Sequence, residues 1–186
     1  MAITTKELIK SDYLNITVTD YDDMIDRFII QAGIIIKDYC RQPIEQESVT
    51  KYFDGDGSNL YDLFYTVPCA SLTLYYRDSI LDSWTAVESG TYALHENKIY
   101  NDNGFVESYY KAVLSVGYAT ASVPKSIVDV CSEIVVALFK QTAHGSAAIG
   151  VSGETITQGG ITTTRTFNDV LRANETKLFP YQMLWL

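Results

Sequence analysis

Hydrophobic spacing changes character along the chain, and each change marks an element. Over residues 20–41, Met24, Ile25, Phe28, Ile29, Ala32, Ile35, Ile36 and Tyr39 recur at three- and four-residue steps. That spacing gives a helix one wide apolar face. Asp20 or Thr19 is the expected cap, and Asp22 and Asp23 fall in the first turn, where the helix dipole favours acids. Pro43 stops the helix soon after Arg41. Upstream, Thr4 with Glu7 reads as a capping box that opens a short helix to about Lys10. A loop through Leu14-Asn15-Ile16 joins the two helices.

From Val49 to Tyr118 the period becomes strand-like. The runs LYDLFYTV, SLTLYYR, KIY and YYKAVLSVGY alternate with the turn clusters DGDGSN, RDSILDS, ESGT and NDNG. Asn103-Gly104 is a hairpin-turn signal. Ser122-Val123-Pro124 then opens a third helix, with Pro124 acceptable in its first turn. Ile127, Val128, Val130, Cys131, Ile134, Val135, Ala137, Leu138 and Phe139 cover much of its circumference, which predicts a central helix touched from several sides. His144 in its last turn offsets the dipole, and Gly145 is a natural stop.

Beyond it the chain is rich in Gly, Ser and Thr. GETIT and ITTTRTF flank Gly159-Gly160 and read as a β-hairpin or extended arm, mobile from about Ala147 in the free chain. Asn168 to Lys177 predicts a last short helix, and LFPYQMLWL ends the chain with apolar and aromatic residues. That terminus either folds back on its own core or docks on another subunit; docking is the expectation. The candidate contacts on the hairpin are Thr155, Ile156 and Thr157, then Ile161, Thr163, Arg165 and Phe167, able to add strands to a partner's sheet. On the tail they are Phe179, Tyr181, Met183 and Trp185, residue types found at interface centres.

These elements predict an α+β chain: a small bundle of three main helices (1–48 and 119–146), an antiparallel β-rich insertion (49–118) between helices two and three, and a C-terminal arm (147–186).

Composition removes several function classes. The 186 residues carry a net charge of −9 from 23 acidic and 14 basic side chains, with no basic run. Phosphate-gripping nucleic-acid binding needs the opposite sign. Cys40, Cys69 and Cys131 are odd in number and widely spaced, which predicts free thiols rather than disulfides or a zinc site. The N-terminus has no apolar leader, and no stretch approaches the roughly 18 apolar residues of a membrane span. A soluble chain made in the cytosol is expected. The 14 tyrosines suit half-wet interfaces or ordinary β-structure equally.

Catalytic chemistry is sought without success. Asp54-Gly55-Asp56-Gly57-Ser58-Asn59 looks like the start of a calcium loop. However, the sixth and twelfth places, which need Gly and Glu, hold Asn59 and Tyr65. A tight turn is the better reading. His95 and His144 lack metal-ligand neighbours, and His95 reads as an exposed strand residue. No nucleophile elbow, phosphate loop or dinucleotide fingerprint occurs. No catalytic, cofactor or metal residue is therefore assigned.

The order of parts resembles the head–tail connector (adaptor) proteins of tailed bacteriophages. Thr4-Thr5-Lys6-Glu7-Leu8 matches that family's "T.EEL" helix start. Asp20, Asp22, Asp23, Ile25, Ile29, Ala32, Ile36, Tyr39 and Arg41 match its "DDD..L...I..A...I..Y..R" helix. Val67-Pro68-Cys69-Ala70-Ser71-Leu72 and Ala112-Val113-Leu114-Ser115-Val116-Gly117-Tyr118 match two strands of its β-insert. Val123-Pro124 and Ile127 match the start of its third helix, and Leu178 and Tyr181 its final "L..Y". The resemblance spans residues 3 to about 144 and rests on order and spacing. Gly33-Ile34-Ile35 departs from the family's polar positions and predicts extra burial there. MLWL departs from its basic end.

The resemblance implies structural work in the virion neck, by a chain made in the host cytoplasm. Such proteins form a ring, usually of twelve copies, beneath the portal protein. They extend the DNA channel and offer a platform to the stopper or tail-completion protein. DNA passes without specific binding, and an acidic lumen would repel its phosphates. Two other classes remain open: a host binding module with a Tyr-rich β-surface, or an enzyme with calcium assistance at Asp54 and Asp56.

Overall fold

The structure, a computed structural model, describes residues 3–142, 153–158 and 161–183, with backbone alone at 153–158 and 161–169. Helices and antiparallel sheets make the expected α+β fold. The chain divides into two compact units, Met1–Cys40 with Thr120–Pro180, and Arg41–Ala119 with Tyr181–Leu186. Among the described residues no helix is long and apolar enough to cross a membrane.

The first unit is helical. α1 (Lys6–Leu8) runs directly into a π-helical segment, Ile9–Leu14, closed by Asn15 in the left-handed region (φ 52°). The helical stretch thus reaches Leu14, beyond the Lys10 expected from sequence. Its cap is Thr5, whose hydroxyl accepts from the Leu8 N–H at 3.3 Å, and not Thr4. Thr4 is buried instead. The Ser132 hydroxyl gives its proton to the Val128 carbonyl (2.8 Å), so Thr4 donates to Ser132 at 3.1 Å and both buried hydroxyls are satisfied.

α2 (Asp22–Cys40) opens with the Met24 and Ile25 amides bonded to the Tyr21 carbonyl, while Thr19 contributes its own carbonyl to Asp22. Asp22 meets Lys10 at 2.6 Å and Lys6 at 3.7 Å, and the Lys10 ammonium holds its carboxyl below the usual range. Ile25, Ile29, Ala32, Ile36 and Cys40 form the buried stripe. Of Gly33-Ile34-Ile35, where extra burial is expected, Gly33 and Ile35 are half-buried, while Ile34 falls opposite that stripe and is exposed. Arg41 (φ 57°) takes the chain out of the helix just before Pro43.

α3 (Lys125–Lys140) is the central element. Pro124 sits at its cap position rather than inside its first turn. α3 packs against α2, the π-helical segment and both later helices, burying Ile127, Val130, Cys131, Ile134, Val135 and Phe139. Each such side chain contributes roughly 1.5–3 kcal/mol of transfer free energy. α3 ends at Lys140; His144, Gly145 and the start of the arm at Ala147 lie outside the described residues.

The arm contains the expected hairpin, β8 (Gly153–Gln158) against β9 (Ile161–Thr166), with Gly159-Gly160 outside the described residues. The single final helix expected over Asn168–Lys177 is two: α4 (Phe167–Ala173) and α5 (Glu175–Leu178). Asn174 breaks them. It is buried, donates through Nδ2 to Glu133 (2.6 Å) and to the Val170 carbonyl, and accepts from the Lys177 and Leu178 amides. Leu178 is fully buried.

The second unit holds two sheets. β1 (Glu47–Asp54), β7 (Tyr109–Val116), β3 (Cys69–Arg77) and β4 (Thr85–Ala86) lie in the order β1-β7-β3-β4. β2 (Leu60–Asp62), β6 (Lys98–Asn101) and β5 (Tyr92–His95) form the other, in the order β2-β6-β5. Phe53 of β1 joins the two, stacked on Tyr61 of β2 at 3.7 Å and on Tyr110 of β7 at 5.4 Å, with Phe105 edge-on at 5.3 Å.

The hairpin turn lies elsewhere than Asn103-Gly104, which follows β6 but connects no paired strands, since β6 and β7 belong to different sheets. The two-residue hairpin turn is Glu96-Asn97, both left-handed (φ 49° and 61°), between β5 and β6. Asn97 also fastens the neighbouring loop: Nδ2 donates to the Tyr65 and Val67 carbonyls, and Oδ1 accepts from the Cys69 amide.

The ends of this unit are tied together. Tyr118 donates to the Ile44 carbonyl (2.8 Å) and accepts from the Gln46 amide (3.0 Å). Gly117 adopts φ 108°, and a Cβ there would fall 2.5 Å from the Glu45 carbonyl oxygen. At the other end, Gln42 is buried and donates through Nε2 to the Thr66 hydroxyl and the Tyr181 carbonyl.

Between β1 and β2 the chain turns over residues 55–59. The Ser58 amide donates to Asp56 Oδ1 at 2.9 Å, the self-bonding expected of an Asp turn. The Gly55 and Gly57 amides bond to the Ser108 and Phe105 carbonyls, and a Cβ on Gly55 would sit 1.8 Å from the Val106 carbonyl oxygen.

Two outcomes follow for this unit. Gly117→Ala combines left-handed strain with a backbone clash and is expected to cost about 3 kcal/mol. Gly57→Ala, at φ 82° with open space around it, should cost about 1 kcal/mol. Urea unfolding of the pair measures the contrast, and equal losses would contradict it. Millimolar calcium is expected to leave the melting temperature unchanged; a clear rise would return Asp54 and Asp56 to metal binding.

Candidate interaction surface

Strand periodicity gives the four-stranded sheet two chemically different faces. Phe53, Tyr110 and Tyr76 lie across from one another in register, on the face that also carries buried Leu74, Ala112 and Leu114. One residue along each strand, the opposite face carries the row Tyr52, Lys111, Tyr75 and the row Asp54, Tyr109, Arg77. Trp84, just before β4, completes it.

These side chains are organised around two cations. The Arg77 guanidinium lies 4.4 Å from the Trp84 ring centroid and 5.7 Å from that of Tyr109. Lys111 Nζ lies 4.2 Å from the Tyr75 centroid and 5.0 Å from Trp84. Tyr52, 65% exposed, leans on Trp84 at 5.8 Å. Stacking of this kind contributes about 0.5–1 kcal/mol at exposed sites and pre-orients the cations. Among the described residues neither cation pairs with a carboxylate. Arg77 donates to the Ile80 carbonyl at 2.8 Å, but among the described residues its buried Nε–H has no acceptor. Trp, Tyr and Arg are the residues that dominate binding energy at protein interfaces.

Sequence reasoning missed this face. Trp84 was hidden in the turn cluster RDSILDS and the residues after it. The available signal was period-two placement of Lys111 and Arg77 beside Tyr109 and Tyr75.

A second exposed apolar feature is the outer side of α2, where Ile30 is 64% and Ile34 54% exposed. At the β3–β4 loop tip, Ile80 and Leu81 are also exposed. A pocket of about 340 Å³ between α1, the π-helical segment and the start of α2 includes Lys6 and Lys10, but both are neutralised by Asp22 and Asp26.

The contacts predicted from sequence are dispersed. Phe179 is exposed and available. Tyr181 is half-buried, edge-on to Tyr118 at 6.4 Å. Met183 is buried within the single chain. Trp185 lies outside the described residues. On the hairpin, Thr155, Ile156 and Thr157 face Thr164, Thr163 and Thr162 in register, and Ile161 faces Gln158. Arg165 faces Glu154, and Phe167 begins α4. Their side chains lie outside the description. His95 is an exposed residue at the end of β5, as expected. Cys40, Cys69 and Cys131 are free thiols; burial pushes Cys40 up to about 12 and Cys69 up to about 11.

No family model matches the chain, and no curated protein sequence matches it. Several chains of solved structures share its fold, among them the following two. One is a chain from the "Neck of empty GTA particle computed with C6 symmetry", with a TM-score of 0.60, 10% identity, and coverage of 97% of this chain and 88% of that one. The other is a chain from the "Virion of native gene transfer agent (GTA) particle", with a TM-score of 0.57, 10% identity, and coverage of 97% and 89%.

Proposed function

We propose that the chain is a structural protein of the neck of a tailed virus-like particle, a head–tail connector that works as one subunit of a ring. The observation that carries this reading is the near-complete two-way coverage of a neck chain, including the β-insertion and the C-terminal segment. The order of sequence motifs leads independently to the same class. A neck with sixfold symmetry accommodates twelve copies as two per repeat, the number that the sequence resemblance implies.

In this reading the ring sits beneath the portal, lengthens the DNA channel and receives the stopper or tail. The work is structural, not catalytic. A chain of −9 suits a channel through which DNA slides, because excess carboxylate does not trap phosphate. The helical unit supplies a rigid body, while the sheet face and the β8–β9 edges supply surfaces on which assembly can proceed. The Tyr-rich sheet face would also serve a free-standing binding module, which would be a stable monomer absent from particles.

Particles produced without this chain are expected to accumulate as DNA-filled heads and separate, unjoined tails. Electron microscopy of such a lysate reads the outcome. Normally joined particles would contradict the proposal.

A further inference from the structure

Two elements leave backbone groups unpaired, and their alternation matches. β1 is an edge strand of the four-stranded sheet. The Gly55 amide bonds to the Ser108 carbonyl in line with the β1–β7 register, so odd-numbered β1 residues bond to β7 and even-numbered ones point away. Among the described residues the amides of Ser48, Thr50, Tyr52 and Asp54 therefore have no backbone partner. All four residues are exposed. Among the described residues nothing blunts this edge. It pairs over eight residues without a bulge and contains no proline, and its lysine, Lys51, lies over the Tyr65 ring at 4.9 Å. At the opposite edge, by contrast, β4 is only two residues long. The second element is the β8–β9 hairpin. It pairs with no third strand among the described residues, although two strands alone are only marginally stable in water. Two residues separate Gln158 from Ile161, so Gln158, Ile156 and Glu154 bond to β9. Gly153, Thr155 and Thr157 then carry the free edge of β8.

We propose that β8 of one copy adds to the β1 edge of the next, antiparallel, with Thr155 opposite Thr50. The inference rests on the connector-ring reading and names a contact within the ring. In this register Thr157, Thr155 and Gly153 meet Ser48, Thr50 and Tyr52, so unpaired backbone groups face unpaired backbone groups. Each copy offers one hairpin and one edge. That is the arrangement of a head-to-tail contact, which closes a ring.

Charge and residue type select this occupant and this register. Ile156 falls opposite Val49, and Glu154 opposite Lys51, which has no carboxylate partner among the described residues. Glu154 already stands opposite Arg165 in its own hairpin. The row across the three strands therefore reads Lys51, Glu154, Arg165, an acid between two cations. β9 contains no acid and cannot supply this row from its own edge. Moving β8 by two residues either way sets Glu154 opposite Val49 or Phe53. Moving it by one sets unpaired backbone groups against groups already bonded.

The test uses purified particles. Abundance of the chain in them, measured first, judges the connector reading; its absence would remove that reading and this contact together. Hydrogen exchange then compares the free wild-type chain with the assembled one. Peptides covering residues 47–54 and 153–158 are both expected to lose exchange on assembly, and unchanged exchange in either would overturn the contact. Next, Val49→Cys and Ile156→Cys are placed on separate copies that enter the same particles. Opposite residues at such non-hydrogen-bonded positions have Cα atoms about 4.5 Å apart, within disulfide reach. Mild oxidation is expected to give a dimer joined between positions 49 and 156, which neither variant gives alone. No dimer, or linkage of either position to another virion protein, would overturn the contact and leave the connector reading standing. The exchange measurement needs no substitution, so it decides the matter if a variant fails to enter particles.

Discussion

The fold depends on closing the β-insertion at its base. α2 and α3 pack together although residues 41–119 separate them in sequence. Two helices can pair across such a length only if the intervening segment brings its own ends together. The backbone bonds between Ile44, Gln46 and Tyr118 do this, and Gly117 makes the close approach to Glu45 sterically possible. With the base closed, the insertion behaves as a compact unit, and its length adds little to the entropy of pairing: about 0.6 kcal/mol per doubling for a free loop. The C-terminal segment repeats the strategy. It leaves α5, passes into the second unit at Tyr181 and is held there by Gln42.

That closure leaves the four-stranded sheet with one committed face and one available face. The committed face carries the stack of Phe53, Tyr61, Tyr110 and Phe105, with Tyr110 and Phe105 buried and the other two half-buried. The available face presents aromatics that are already oriented by Arg77 and Lys111, so little side-chain freedom remains to be lost when a partner docks. The link from sequence to function is therefore a period-two pattern. Residue parity decides which tyrosines face the core and which lie on the opposite face of the sheet.

Much of this was legible from residue spacing. The periodic apolar stripes of α2 and α3 placed both helices, and the β-rich runs identified four of the strands in the insertion. What failed was local hydrogen-bond chemistry. The capping-box pattern pairs Thr4 with Glu7, yet Thr4 is buried against Ser132 and Thr5 caps instead. Asn103-Gly104 has the stronger turn signal, yet Glu96-Asn97 makes the hairpin because Asn97 is bonded on both sides to the 65–69 loop. Asn174 splits the last helix by taking Glu133, a partner 41 residues away. Within the single chain the tail buries Leu178 and Met183 and leaves Phe179 exposed, a division that its run of apolar residues did not reveal. The sheet face was not legible, since its residues come from β1, β3, β7 and the loop before β4.

The most direct test of the neck assignment is electron cryomicroscopy of intact particles at a resolution that distinguishes helices from sheets. A ring between head and tail, with each subunit fitted by a helical unit around α3 and a β-unit built on β1-β7-β3-β4, is the predicted result. Neck density that fits other chains completely, with no subunit of this fold, would contradict the account.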